Sequence, residues 1–162
     1  MKKKVLMLIV LVGMCFSLSG CLDAKKEEFA VDDLRITLTD EFKETDQDEG
    51  FTAYFESDDT GVAIVKETYS ALEVLDLNSD TTIEEYIAVV QSAGGTDYEV
   101  HNENNINYFT YESEIDGINY YYMTAFYKGS DAFWIVNLFC EANDKEVLQS
   151  KFVDYAQSVS FV

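Results

Sequence analysis

The sequence has no proline among its 162 residues, a single histidine, and 11 basic side chains against 31 acidic ones. Each shortage excludes something. A Ser-His-acid hydrolase needs a histidine base held by a carboxylate. The only histidine, His101, lies beside Asn102-Glu103-Asn104-Asn105, a loop by composition. No Gly-x-Ser-x-Gly elbow occurs. A transition-metal site draws several His or Cys ligands, which this chain does not supply. No catalytic residue, metal ligand or cofactor is therefore assigned, and the chain is not read as an enzyme. The acid excess also excludes nucleic acid as a partner and disfavours lying flat on anionic lipid. It suits solubility on a cell surface, a solvated acidic face, or a cationic partner.

Oxygen-only calcium sites survive that argument. Asp46-Gln47-Asp48-Glu49-Gly50 starts like a calcium loop, but its glycine comes one place early and the third Asx is missing. Asp58-Asp59 sits in a turn by composition. Both read as solvated acidic loops. A glycosidase-type carboxylate pair carries no information here, because with 31 acids some pair is always suitably spaced.

What is present starts at the N-terminus. Lys2-Lys3-Lys4 precedes an apolar run from Val5 to Phe16, broken only by Gly13, and the run closes on Leu18-Ser19-Gly20-Cys21. A spanning helix needs roughly 20 apolar residues, so this segment is too short to cross. Leu at −3, small residues at −2 and −1, and then Cys resemble the bacterial lipobox. The resemblance implies a lipoprotein signal peptide over 1–20, cleavage before Cys21, and lipid attachment at the Cys21 thiol. The chain would then be held on the extracytoplasmic face of a bacterial cell membrane. Two acyl chains give stable attachment, since each buried CH₂ contributes roughly 0.8 kcal/mol. Residues 21–31 read as anchor and short polar tether. Leu22 to Ala30, fully extended, reach at most about 30 Å, which predicts a membrane-proximal partner. Loss of 1–20 removes three of the eleven basic residues and no acid, leaving 8 against 31, a net −23.

Cysteine use agrees with export. Cys15 leaves with the signal and Cys21 takes lipid, so Cys140 stands alone and no internal disulfide forms. Cys140 ends the most apolar strand of the chain, which favours a small buried apolar side chain over a reactive or partner-linked thiol.

Residues 32–162 read as one domain. Leu34 to Leu38 alternates with period two, a first strand. Phe51 to Glu56 and Val62 to Thr68 are two more, joined by the turn residues 57–61. Tyr69 to Asn78 is either a short helix or an irregular cover. Thr81 and Glu84 have capping-box spacing ahead of Ile83, Tyr86, Ile87, Val90 and Ala93, and Gly94-Gly95 stops that helix. Asp97 to His101 is a short strand. Ile106 to Ile115 and Ile118 to Tyr127 flank Asp116-Gly117, a primed two-residue turn. That turn sets Ile115 opposite Ile118, Ser113 opposite Tyr120, Tyr111 opposite Tyr122 and Phe109 opposite Thr124. The next turn, Lys128 to Asp131, sets Tyr127 opposite Ala132 and Phe126 opposite Phe133, with Lys128 and Asp131 paired across it. Asn143 to Glu146 repeats the capping pattern before a last helix with Val147, Leu148, Phe152, Tyr155, Ala156 and Val159 as its stripe. Phe161-Val162 adds a short final strand.

The meander is apolar on both faces. One face carries Phe109, Tyr111, Ile115, Ile118, Tyr120, Tyr122, Phe126, Phe133, Ile135 and Phe139. The other carries Tyr121, Met123, Ala125, Tyr127, Trp134, Val136, Leu138 and Cys140, with Glu112 and Glu114. A sheet wet on one side alternates more cleanly. Either helices cover both faces, or one face is an open aromatic platform.

This order of elements, with Ile36-Thr37-Leu38 and Phe42 as an Ile-Thr-Leu-x-x-x-Phe opening, resembles the PsbP-like family. Asp40 stands where its members often have proline. The family includes a photosystem extrinsic subunit, Ran-binding Mog proteins and many small bacterial lipoproteins. The resemblance implies an α+β fold, an antiparallel sheet of about six to seven strands with helices packed on both faces. It also implies binding or scaffolding rather than catalysis. No ligand residue is carried over. The expected role is an accessory module for a protein partner near the membrane; the alternative is capture of a cation, cationic peptide or sugar.

Overall fold

A computed structural model describes residues 24–46 and 50–162. The leader, Cys21 and residues 47–49 of the acidic loop lie outside the described residues. The chain runs β1 (Lys26–Val31), β2 (Leu34–Thr39), β3 (Lys43–Glu44), β4 (Ala53–Glu56), β5 (Gly61–Thr68), α1 (Tyr69–Leu72) and a 3-10 turn (Glu73–Leu75). It continues through α2 (Ile83–Gly94), β6 (His101–Glu103), β7 (Ile106–Ile115), β8 (Ile118–Lys128), β9 (Ala132–Glu141), a 3-10 turn (Ala142–Asp144), α3 (Lys145–Gln157) and β10 (Ser160–Phe161).

Seven strands make the main sheet in the order β3-β4-β5-β9-β8-β7-β6, with antiparallel neighbours throughout. The first predicted strand is not part of it. β2 sits in a separate three-stranded sheet between β1 and β10. On one face of the main sheet, Val62, Met123, Trp134, Val136 and Leu138 pack against Leu34, Ile36 and Leu38 of β2 and Leu148, Phe152 and Ala156 of α3. On the other face, α2 and the segment around α1 bring Tyr86, Ile87, Leu72 and Leu77 onto Phe109, Phe126 and Phe133. The fold is thus α+β with helices on both faces of the sheet.

Several expectations are corrected. Lys26 to Val31 is a strand rather than tether. Lys26, Glu27 and Glu28 are exposed and Val31 is buried, so no alternation marks it; β1 forms through its pairing to β2, and its charges suit a sheet edge. The link from Cys21 to the domain shortens accordingly. The α2 cap lies one residue on: the Thr82 hydroxyl accepts from the Glu85 N–H and the Glu85 carboxylate accepts from the Thr82 N–H. Thr81 instead closes the preceding turn, accepting from the Asn78 N–H at 3.0 Å. Gly95, in the left-handed region at φ 64°, ends α2 as expected. The strand expected at 97–101 runs His101–Glu103, and Asn104-Asn105 forms a second primed turn with φ of 54° and 63°. The α3 cap is absent because residues 142–144 form the 3-10 turn, which leaves Asp144 helical and its side chain without a cap bond. Val147, expected in the apolar stripe, is 68% exposed.

The β7–β8 register is as read from the sequence, including Ile115↔Ile118 and Phe109↔Thr124. The β8–β9 register is two residues off, with Tyr127 opposite Trp134 and Phe126 opposite Ile135. A shift of two preserves the faces. Lys128 and Asp131 do not pair. Lys128 Nζ donates to the Thr81 carbonyl at 2.8 Å, and Asp131 joins Lys66.

Candidate functional site: the uncovered half of the sheet

On the face shared by Tyr54, Ala63, Asn137, Thr124 and Phe109, helical cover reaches only halfway. A polar row marks the boundary, where the Thr124 hydroxyl donates to Asn137 Oδ1 at 2.7 Å. On one side of the row, Tyr86 stacks on Phe133 with ring centroids 4.1 Å apart and planes at 6°. On the other side no helix of the described residues follows. The predicted alternatives, helical cover or open platform, both hold, each for half of one face.

The half without helical cover carries a run of half-buried aromatic rings, with Tyr122 buried among them and Phe51 exposed at one end. Phe51 contacts Tyr54 at 6.1 Å, Tyr54 contacts Phe139 at 6.1 Å, and Phe139 contacts Tyr122 at 5.5 Å. Tyr122 stacks on Tyr111 at 4.8 Å, and Tyr111 on Tyr98 at 4.9 Å. Tyr120 flanks Phe139 at 6.3 Å. Phe51, Ile115 and Ile118 are 50%, 51% and 42% exposed. The rings line an open depression of about 490 Å³.

Local sequence explains why the rings lie flat here. β5 begins at Gly61, directly opposite Phe139. With no side chain at Gly61, the Phe139 ring settles onto the backbone; an ideal Cβ there would stand 2.2 Å from Phe139 Cζ. Gly61→Ala is therefore expected to leave the fold intact but swing Phe139 off its neighbours. NMR shifts of the Tyr54, Tyr122 and Phe139 ring protons, read beside the melting temperature, check this. Unmoved ring shifts would contradict the packing.

An acidic groove of about 360 Å³ adjoins the rings, sharing Tyr54, Tyr120 and Phe139. Glu56, Asp58, Asp59, Glu141 and Asp144 line it, and among the described residues no basic one does. Lys145, next in the chain, pairs with Glu112 at 3.0 Å and lies over Tyr121, on the opposite face of the sheet. Burial, then the Glu56 charge, raise the Tyr54 phenol above its ordinary value. Burial and the neighbouring phenols Tyr111, Tyr120 and Tyr54 raise Tyr122. These phenols stay neutral at neutral pH. The surface therefore offers π faces, hydroxyls and carboxylates, a set that attracts cations.

No family model matches the chain, and no curated protein is similar to it in sequence. Among solved structures, cyanobacterial PsbP (CyanoP) from Synechocystis sp. PCC 6803 superposes with a TM-score of 0.53 at 14% identity, over 93% of this chain and 100% of that one. The fold is PsbP-like. A Bacteroides thetaiotaomicron protein superposes equally well, TM-score 0.53 at 11% identity, over 86% of this chain and 48% of that one.

Within this PsbP-like domain the remaining candidates scatter. His101 is half-buried at the start of β6, its ring 5.2 Å from Tyr108. Cys140 is buried on the face packed by α3, and its thiol is pushed up to about 11, first by burial and then by the Asp144 charge. It is a core side chain. Trp134 is wholly buried on that same face, so the only tryptophan takes no part in the aromatic surface. Asp58 and Asp59 border a second depression, with Asp40, Glu41 and Lys43. Among the described residues, no three His, Cys, Asp or Glu side chains gather as a metal site. Sequence reasoning sorted the rings onto one face but missed Tyr54, Phe51 and the acids of the 56–59 turn as their neighbours. Only the pairing of β4 with β5 and β5 with β9 brings them there.

Proposed function

We propose that the chain is a bacterial lipoprotein, held through Cys21 on the extracytoplasmic face of the cell membrane. It acts there without catalysis, as a binding module for a membrane-proximal protein. The observation that carries this reading is the half-uncovered sheet face. A folded domain that packs a second sheet and a helix over one side of its main sheet, yet leaves half of the other side, a run of aromatic rings beside an acidic groove, without helical cover, keeps that surface for something else. β1 begins at Lys26, so only residues 22–25 separate the anchor from the domain, at most about 14 Å when extended. Whatever docks must therefore be close to the bilayer.

The second reading, capture of a small cation or sugar, draws on the same tyrosines. The openness of the depression counts against it, because small-molecule sites enclose most of their ligand.

The test has two parts. Cys21→Ser should move the protein from the membrane fraction to the soluble fraction and abolish labelling by a radioactive fatty acid. Crosslinking of the lipidated protein in cells should give a discrete membrane partner that is lost in Cys21→Ser. A Cys21→Ser protein that stays on the membrane would overturn the anchor; turnover of a defined substrate by the domain would overturn the binding role.

A further inference from the structure

We propose that the uncovered half of the sheet takes a basic, apolar-flanked extended segment of a partner protein. Its ammonium or guanidinium groups lie over Tyr54, Tyr120 and Phe139 and reach the carboxylates of Glu56, Asp59 and Glu141. The inference rests on the binding reading above and gives that site its ligand chemistry.

Three observations choose this occupant. The first is charge. Five carboxylates line the groove with no basic residue among them, and among the described residues the ion pairs are those of Lys66 and Lys145, which involve none of the five. A second copy of the chain would set this acidic edge against itself, and anionic lipid is repelled in the same way. Charge complementarity leaves a cationic partner.

The second is ring chemistry. A cation attracted by carboxylates alone gains little in water. Here the same groove presents the faces of Tyr54, Tyr120 and Phe139. Aromatic faces attract ammonium and especially guanidinium groups, and more so as water is excluded. The exposed Ile115 and Phe51 at the ends of the surface give apolar neighbours of that basic residue a place to bury.

The third is length. Phe51, Tyr54, Phe139, Tyr122 and Tyr111 follow one another in four steps of 4.8–6.1 Å. That run matches about six residues of extended chain at roughly 3.3 Å each. It is too long for a single small cation.

The experiment is calorimetric titration of the full lipidated chain, in micelles of an uncharged polyether detergent. The probes are three capped hexapeptides of alternating valine with arginine, glutamine or glutamate, and tetramethylammonium as a small cation. The arginine peptide should bind, weaken as salt rises, and bind at least tenfold more tightly than the glutamine peptide; the glutamate peptide should show no binding. Phe139→Ala and Glu56→Gln/Glu141→Gln should each weaken the arginine peptide at least tenfold, while Val147→Ala on α3 leaves it unchanged. Unaltered melting temperatures in the glutamine variants separate lost binding from lost fold. Equal binding of the arginine and glutamine peptides, or arginine binding that survives these variants, overturns the proposal. So does tetramethylammonium binding where the peptide does not. If crosslinking from the bare face finds a partner whose contacting segment is neutral or acidic, the binding module stands and the charge inference fails. If the face crosslinks to nothing, both fail.

Discussion

Trp134→Ala should cost the domain about 3–5 kcal/mol, the range for truncating a buried aromatic side chain. Total stability for a domain of this size is about 5–15 kcal/mol, so the variant should be largely unfolded in moderate urea. Trp134 is 0% exposed, between β5 and β8 on β9, and faces the second sheet. Phe161 of β10 lies 6.0 Å from it and Lys66 Nζ 5.0 Å above it. Lys66 also pairs with Asp32 and Asp33 in the β1–β2 turn and with Asp131 in the β8–β9 turn, at 3.3–3.4 Å. The indole thus fills the space between two sheets under a strap that joins both. Trp134→Phe should be far milder. Trp134 Nε1 has no hydrogen-bond partner among the described residues, so phenylalanine forfeits area but no bond. Urea midpoints of the two variants test this. A small loss for Trp134→Ala would mean that the two sheets are not coupled through this side chain.

The domain should also unfold in alkali, beginning near pH 10. Tyr86 and Tyr127 are both raised well above the ordinary phenol value, chiefly by burial. Each donates its proton: Tyr86 to Glu67, whose charge adds to the effect, and Tyr127 to the Ala156 carbonyl at 2.8 Å. The folded chain therefore keeps protons that the unfolded chain releases above about pH 10. The stability these two phenols contribute is fully present below that pH and falls as pH rises, by about 1.4 kcal/mol per unit for each such group. With two of them the slope is about 2.7 kcal/mol per pH unit. Cys140, raised to about 11, adds to the fall from about pH 9 upward. Melting temperature followed from pH 7 to 12, beside phenolate absorbance, checks it. Phenolate appearing gradually at pH 10 with the fold intact would show that these phenols are not held neutral.

The parts of the fold legible in the sequence are those with local causes. Asp116-Gly117 occupies positive φ at both places, 53° and 83°. Few residue pairs accept that, so the turn and the whole β7–β8 register could be read from two letters. Asn104-Asn105 carries the same signal in weaker letters, and by composition it reads as a loop. Lys128 to Asp131 has no such pair, and there the register slipped by two. The alternation survived because two is the strand period. Thr81-Thr82 and Glu84-Glu85 offer two frames for one capping box, and only the Asn78 turn, which occupies Thr81, decides between them. β1 has no local signal at all; its partner makes it a strand. The candidate site was half legible for the same reason. Period two puts Tyr111, Tyr120, Tyr122 and Phe139 on one face, but where α2 lands, and so which rings stay bare, is set by contacts far apart in sequence.

The account turns on the bare half of the sheet being the docking surface. The direct measurement places a photoreactive phenylalanine analogue at position 120, half-buried among the rings of the uncovered half, or at position 147, exposed on α3 over the opposite face. Both versions of the lipidated protein are irradiated in cells. The account predicts one discrete crosslinked protein from position 120 and none from position 147. Crosslinks from position 147, with none from position 120, would contradict it.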